Sequence, residues 1–121
     1  MVVEEDPANR LFFSDYLTQA GFIVSPLPHS VDLDQHLKDF SPDLLVLDLG
    51  LPEFGGYTLL QKVRQSSRWR HLPVIVVSGY AFQANHHQAL ELGAQEYLVK
   101  PIRVKELIKT VQATLATIAY G

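Results

Sequence analysis

Apolar positions along the chain alternate between two periods. Met1–Glu4 is a short apolar stretch that ends in acid. Pro7–Ala20 then sets Leu11, Phe12, Tyr16, Leu17 and Ala20 at helical spacing, which predicts a helix with those residues on one face. Asp6 followed by Pro7 is a helix opening, an N-cap side chain before a proline at the first helical position. Gly21 supplies a C-terminal stop. Phe22–Ser25 reads as a strand, and Ser30–Phe40 as a short helix capped by Ser30 with Val31, Leu33, Leu37 and Phe40 near one face.

Leu44–Leu47 is continuously apolar, the pattern of a strand buried on both faces. Gly55-Gly56 breaks the chain, and Tyr57–Gln65 predicts a helix with Leu59, Leu60 and Val63 inward. Val74–Val77 is a second buried strand. Ala84–Leu92 predicts a weak helix stopped by Gly93, Tyr97–Val99 a brief strand, and Val104–Ala119 the clearest helix, striped by Val104, Leu107, Ile108, Val111, Leu115 and Ile118.

These are five β-then-α units with no repeat and no linker. Parallel strands need crossovers, so the pattern predicts an α/β fold, a parallel sheet with helices on both faces. Right-handed crossovers leave few topologies. In such sheets a site lies beyond the carboxyl ends of the strands, where strand order reverses.

Composition narrows the class. The 121 residues, 47% hydrophobic, suit one domain with its own core. There is no cysteine, which excludes disulfides, a thiol nucleophile and a Cys-type zinc site. The acidic start MVVEEDPANR is not a signal peptide, and no apolar run reaches membrane-spanning length. A net charge of −3 argues against nucleic-acid binding through the bulk surface. The expectation is a cytoplasmic protein.

The predicted strand ends carry the chemistry. Glu4, Glu5 and Asp6 follow the first strand, Asp48 the third, Ser78 the fourth, and Lys100 with Pro101 the fifth. Crowded carboxylates raise one another's pKa, and a hard dication relieves the crowding. Carboxylates for a metal, a lysine, a hydroxyl and one further carboxylate are the parts of a phosphoryl-transfer site. Each residue alone has an ordinary reading: Asp48 a polar strand end, Asp6 a helix cap, Lys100 a solvated lysine, Ser78-Gly79 a turn. Their conjunction at four strand ends favours one site.

The stretches VVEEDPANR, PDLLVLDLGLPEFGGYTLLQKVR, LPVIVVSGYA and LGAQEYLVKPI, in this order, resemble the response-regulator receiver family over nearly the whole chain. The resemblance implies a doubly wound, flavodoxin-like (βα)₅ sheet with strand order 2-1-3-4-5. It implies that Asp48 accepts a phosphoryl group from a histidine kinase or phosphotransfer protein, or from a small phosphodonor. Mg²⁺, with Mn²⁺ as its substitute, would be held by Glu5, Asp48 and the backbone carbonyl of Gly50, with Glu4 acting through water. Lys100 and Ser78 would bind phosphoryl oxygens, and the Lys100–Pro101 bond would be cis. The switch would run through Ser78 and Tyr97 to a downstream protein at the face of the fourth helix, fifth strand and fifth helix, which holds Phe82, His86, Tyr97 and Arg103. Homodimerisation on activation belongs to the same set of expectations. No membrane or direct nucleic-acid partner is implied.

Two departures stand out. The direct-ligand position usually holds aspartate and here holds Glu5, one methylene longer, whereas Mg²⁺ demands near-ideal geometry. The first strand is also shorter than usual. Glu5 favours the alternative reading, a pseudo-receiver acting as a phosphorylation-independent interaction module, and Asp48, Ser78 and Lys100 together stand against it. A flavin carrier of the same topology would need a Ser/Thr-rich loop where this chain has EEDP, and no G-x-G-x-x-G or Walker pattern occurs. His86-His87 point about 100° apart on a helix and do not make a metal pair. Arg64, Arg68, Trp69, Arg70 and His71 form a basic patch, read as an exposed helix end and loop. The span 1–121 is read as one domain, standing alone or belonging to a larger regulator or hybrid kinase.

Overall fold

The structure is a computed structural model that describes residues 1–28, 32–48, 56–79 and 83–120; of 56, 83–86 and 118–120 only the backbone is described. Strands β1 (Val2–Val3), β2 (Pro26–Leu27), β3 (Leu45–Asp48), β4 (Val74–Ser78) and β5 (Glu96–Val99) alternate with helices α1 (Pro7–Gln19), α2 (Leu33–Phe40), α3 (Gly56–Gln65), α4 (Gln83–Glu91) and α5 (Val104–Tyr120). All pairings are parallel and the sheet order is β2-β1-β3-β4-β5, as expected.

Alternation along each strand divides the core in two. Val3, Leu45, Leu47, Val74 and Val76 pack with Leu37 of α2, Leu60 and Val63 of α3 and Ala89 of α4. Val2, Val46, Ile75 and Val77 pack on the other face with Phe13 and Leu17 of α1 and Leu107 and Val111 of α5. Near-continuous apolar strands are what a sheet covered on both faces requires.

Three local expectations are corrected. The second strand is Pro26–Leu27, not Phe22–Ser25. The end of α1 uses the intervening chain: Gly21 (φ +101°) donates to Thr18 O and Phe22 donates to Leu17 O. Ladder pairing to β1 starts only at Val2 N to Ser25 O, 2.9 Å, and Glu4 N to Leu27 O, 2.8 Å. On α1 the buried residues are Phe13 and Leu17, whereas Leu11, Phe12 and Tyr16 are 63%, 41% and 40% exposed. Apolar side chains surround this helix, so spacing alone cannot choose its inner face. Helix α2 is capped by Asp32, whose carboxylate accepts from Gln35 N at 3.3 Å; Ser30 and Val31 lie outside the described residues.

At the sheet's amino-terminal edge Arg64 ties three segments together. Its guanidinium donates to Gly93 O at 2.7 Å, Leu72 O at 2.6 Å and Gln95 Oε1 at 3.2 Å. Gln95 Oε1 also accepts from Val74 N at 2.6 Å. The side chain thus satisfies carbonyls where β4 and β5 begin.

Candidate phosphoryl-transfer site

Parallel pairing sets the carboxyl ends of β1, β3, β4 and β5 side by side. Glu4 follows β1, Asp48 ends β3, Ser78 ends β4 and Lys100 follows β5. Lys100 N donates to Ser78 O at 2.7 Å, which fixes the lysine's backbone against β4, and the Lys100–Pro101 bond is cis.

Lys100 Nζ lies 3.1 Å from Asp48 Oδ2 and 3.3 Å from Glu4 Oε2. One ammonium group therefore serves two carboxylates. Glu4 is 1% exposed and Asp48 is also buried, whereas Lys100 keeps a quarter of its side chain in solvent. Burial, then a hydrogen bond and charge repulsion from Asp48, push the Glu4 carboxyl up to about 7; Lys100 and the Asp6 amide oppose this. Asp6 N donates to Glu4 Oε1 at 3.2 Å and Arg10 Nη1 donates to Glu4 O at 3.0 Å. Asp6 itself caps α1, accepting from Asn9 N at 3.3 Å. The chain turn that starts α1 thereby holds Glu4 in place.

Ser78 is fully buried and is hydrogen-bonded to Tyr97, which is buried too. Burial raises the Tyr97 pKa, the Ser78 hydrogen bond lowers it, and Tyr57 raises it further. Tyr57, at the start of α3, was not singled out in the sequence, where it reads as an ordinary core aromatic. Arg10 was missed for a similar reason, since nothing in its spacing marks it as a support for Glu4.

Of the residues expected at one site, Glu4, Asp48 and Lys100 are in mutual contact, with Ser78 on the adjoining strand end. Glu5 is exposed. Gly50 and Phe82 lie outside the described residues, as does the side chain of His86. Among the described residues no three acids or histidines are gathered tightly enough to hold a metal ion unaided. The donor set nevertheless suits a hard dication: two adjacent buried carboxylates, one of them raised by burial first and then by the other. Mg²⁺ usually takes one or two carboxylates and completes its shell with water and phosphate oxygens.

Residues 1–112 match the family model of the response regulator receiver domain. The chain belongs to this family. A relative from Leptolyngbya boryana, the 14.6 kDa protein in the sodA1 3′ region, is 35% identical over 93% of this chain and 86% of its own length. The transcriptional regulatory protein GltR of Pseudomonas aeruginosa is 32% identical over 95% of the chain, which spans only 48% of GltR. The receiver domain of the sensor histidine kinase PA1611 of Pseudomonas aeruginosa superposes with a TM-score of 0.77 at 25% identity, covering 95% of this chain and 94% of that one; its structure carries a magnesium ion in the active-site cleft. The receiver is thus a module of two-component response regulators. No helix among the described residues is long and apolar enough to cross a membrane.

Proposed function

We propose that residues 1–121 act as one phosphoacceptor receiver domain, with Asp48 as the acceptor. The observation that carries this reading is the convergence of Asp48, Glu4 and Lys100 from three strand ends. An Asp48 oxygen attacks the phosphorus of a kinase or phosphotransfer-protein phosphohistidine. A P–O bond forms, the P–N bond breaks, and the departing imidazole nitrogen takes a proton. Lys100 Nζ, already 3.1 Å from Asp48 Oδ2, holds a phosphoryl oxygen. The Ser78 hydroxyl holds another.

Glu4, Glu5 and Asp48, with the Gly50 carbonyl, would hold Mg²⁺, and Mn²⁺ in its place. When bound, the ion neutralises the charge on the phosphoryl oxygens and on the paired carboxylates. The exposure of Glu5 fits the longer side chain reaching in from the rim. Glu4 is the better buried acid and serves through water or directly. The switch follows from the Ser78–Tyr97 hydrogen bond: a phosphoryl oxygen that recruits Ser78 competes for the hydroxyl Tyr97 uses. The populations of the α4-β5-α5 face then shift, and with them binding of a downstream protein or a second copy.

The test is intact mass after incubation with acetyl phosphate, with and without Mg²⁺, beside Asp48→Asn. Gain of one phosphoryl group that needs both Mg²⁺ and Asp48 is the expected result. No gain from acetyl phosphate or from a panel of phosphorylated kinases points to the pseudo-receiver instead.

A further inference from the structure

The charge of the chain is segregated in a way the phosphoryl site does not use. No aspartate or glutamate occurs between Glu53 and Glu91, although the chain holds 13 acids. The same span carries Lys62, Arg64, Arg68 and Arg70. Arg64 is committed to backbone carbonyls, as described above. Lys62, Arg68 and Arg70 are exposed and form no ion pair among the described residues, where both ion pairs belong to Lys100.

Two of these cations border a groove of about 660 Å³ between α2 and α3. Leu37, Val63 and Trp69 give it an apolar floor. Its rim is polar in a directed sense. Asp32 and Asp34 stand at the start of α2, while Lys38 stands near its end and Lys62 and Arg68 at the end of α3 and in the turn after it. The Arg68 guanidinium lies 4.9 Å over the Trp69 ring. The buried indole Nε1 of Trp69 has no acceptor among the described residues.

We propose that this groove docks an acidic segment of a partner protein, which lays an apolar side chain on the floor and its carboxylates on Lys62 and Arg68. The apolar floor favours a peptide over a purely polar polyanion, because a peptide brings an apolar side chain together with its negative charge. Asp32 and Asp34 oppose a uniformly negative ligand such as duplex DNA or an anionic bilayer. They also fix polarity, since the least acidic end of the segment must lie beside them.

Trp69 is the sole tryptophan, so its emission reports on the groove. The probe is a blocked peptide of about twelve residues, one half built of serine, leucine and phenylalanine and the other alternating glutamate with leucine and phenylalanine. Its fluorescein-labelled form, read by anisotropy, serves for variants in which the emission baseline changes. The expected result is saturable one-to-one binding with Kd on the order of 10–100 µM, weakened about tenfold or more by Lys62→Glu with Arg68→Glu, and weakened by added salt. Both substituted side chains are exposed, and circular dichroism checks that the variant folds. Asp48→Asn should bind as the parent does, which separates this test from that of the receiver reading. The proposal is overturned by absence of saturation up to about 1 mM peptide. It is equally overturned by undiminished binding of the double variant, or by equal or tighter binding of the lysine counterpart of the peptide, of duplex DNA or of phosphatidylglycerol vesicles.

Discussion

Tyr97 is buried with its hydroxyl bonded to Ser78 on the neighbouring strand. Cα register places Val76 opposite Tyr97 and Ser78 opposite Val99 on β4 and β5, so this bond crosses the strand pair on a diagonal. It couples the strand end that carries the proposed phosphoryl ligand to an aromatic ring of the core.

That bond predicts non-additive losses. Ser78→Ala leaves a buried phenol without this partner and should cost about 1–2 kcal/mol; Tyr97→Phe should cost about 1 kcal/mol. The double variant should cost less than the sum of the two by about 1 kcal/mol. Urea unfolding of the four proteins measures this. Strict additivity would show that the two hydroxyls do not depend on one another.

The raised carboxyl of Glu4 predicts a pH dependence in metal-free protein. Its folded pKa, about 7, lies above the ordinary value of 4.5. Between these values the folded state binds more protons than the unfolded one. The associated stability is fully present below the lower value and is lost as pH rises through the upper one, by up to about 3 kcal/mol. Glu4→Gln should flatten this fall and leave the variant more stable than the parent near pH 8 in EDTA. Denaturant midpoints taken from pH 4 to 8 provide the check, and parallel curves for the two proteins would refute the assignment.

How much of this was legible follows from the kind of signal each residue carries. The continuous apolar runs at β3 and β4 marked buried central strands, and the acids, serine and lysine directly after such runs marked the site. The position of β2 was not legible, because Phe22 and Val24 pack under the sheet without joining its ladder. Ile23 between them is 87% exposed, so the stretch alternates like a strand while lacking a strand's pairing. Nor could sequence decide between Glu4 and Glu5 as the buried acid. That choice depends on the direction the chain takes from β1 into the cap at Asp6, where Arg10 and the Asp6 amide both engage Glu4.

The inner face of α1 gives a direct mutational contrast between adjacent residues. Phe13→Ala removes a core side chain and should cost about 3–4 kcal/mol. Phe12→Ala removes a partly exposed ring stacked edge-on against Tyr16, centroids 4.8 Å apart, and should cost less than about 1 kcal/mol. Thermal or urea unfolding decides. Equal losses would mean that the helix is rotated from the orientation described.

Lys100 should matter to stability as well as to phosphoryl uptake. Lys100→Met removes the ammonium group shared by two neighbouring buried carboxylates, which then cannot both ionise easily. A loss of about 2 kcal/mol at pH 8 in EDTA is expected, below the range for a fully buried pair because the lysine is a quarter exposed. Adding Glu4→Gln should recover much of that loss, since a single carboxylate then remains. Mg²⁺ should also recover part of it in Lys100→Met. A variant whose stability ignores both changes would show that the carboxylates are better hydrated than their burial indicates.

Gly93 and Gly21 test the Arg64 junction. Both have positive φ, +96° and +101°, so alanine is strained at either position. They differ in surroundings. A Cβ at Gly21 meets nothing within 4 Å, whereas one at Gly93 meets Arg64 Nε at 2.6 Å. Gly21→Ala should therefore cost only the backbone strain, about 1 kcal/mol. Gly93→Ala adds displacement of a guanidinium that satisfies Gly93 O and Leu72 O, and should cost about 2–3 kcal/mol. In an Arg64→Ala background the carbonyl bonds are already gone and the space is open. The added cost of Gly93→Ala should then fall to that of Gly21→Ala. If it stays high, the strain at Gly93 comes from the backbone alone and Arg64 does not hold the turn between α4 and β5.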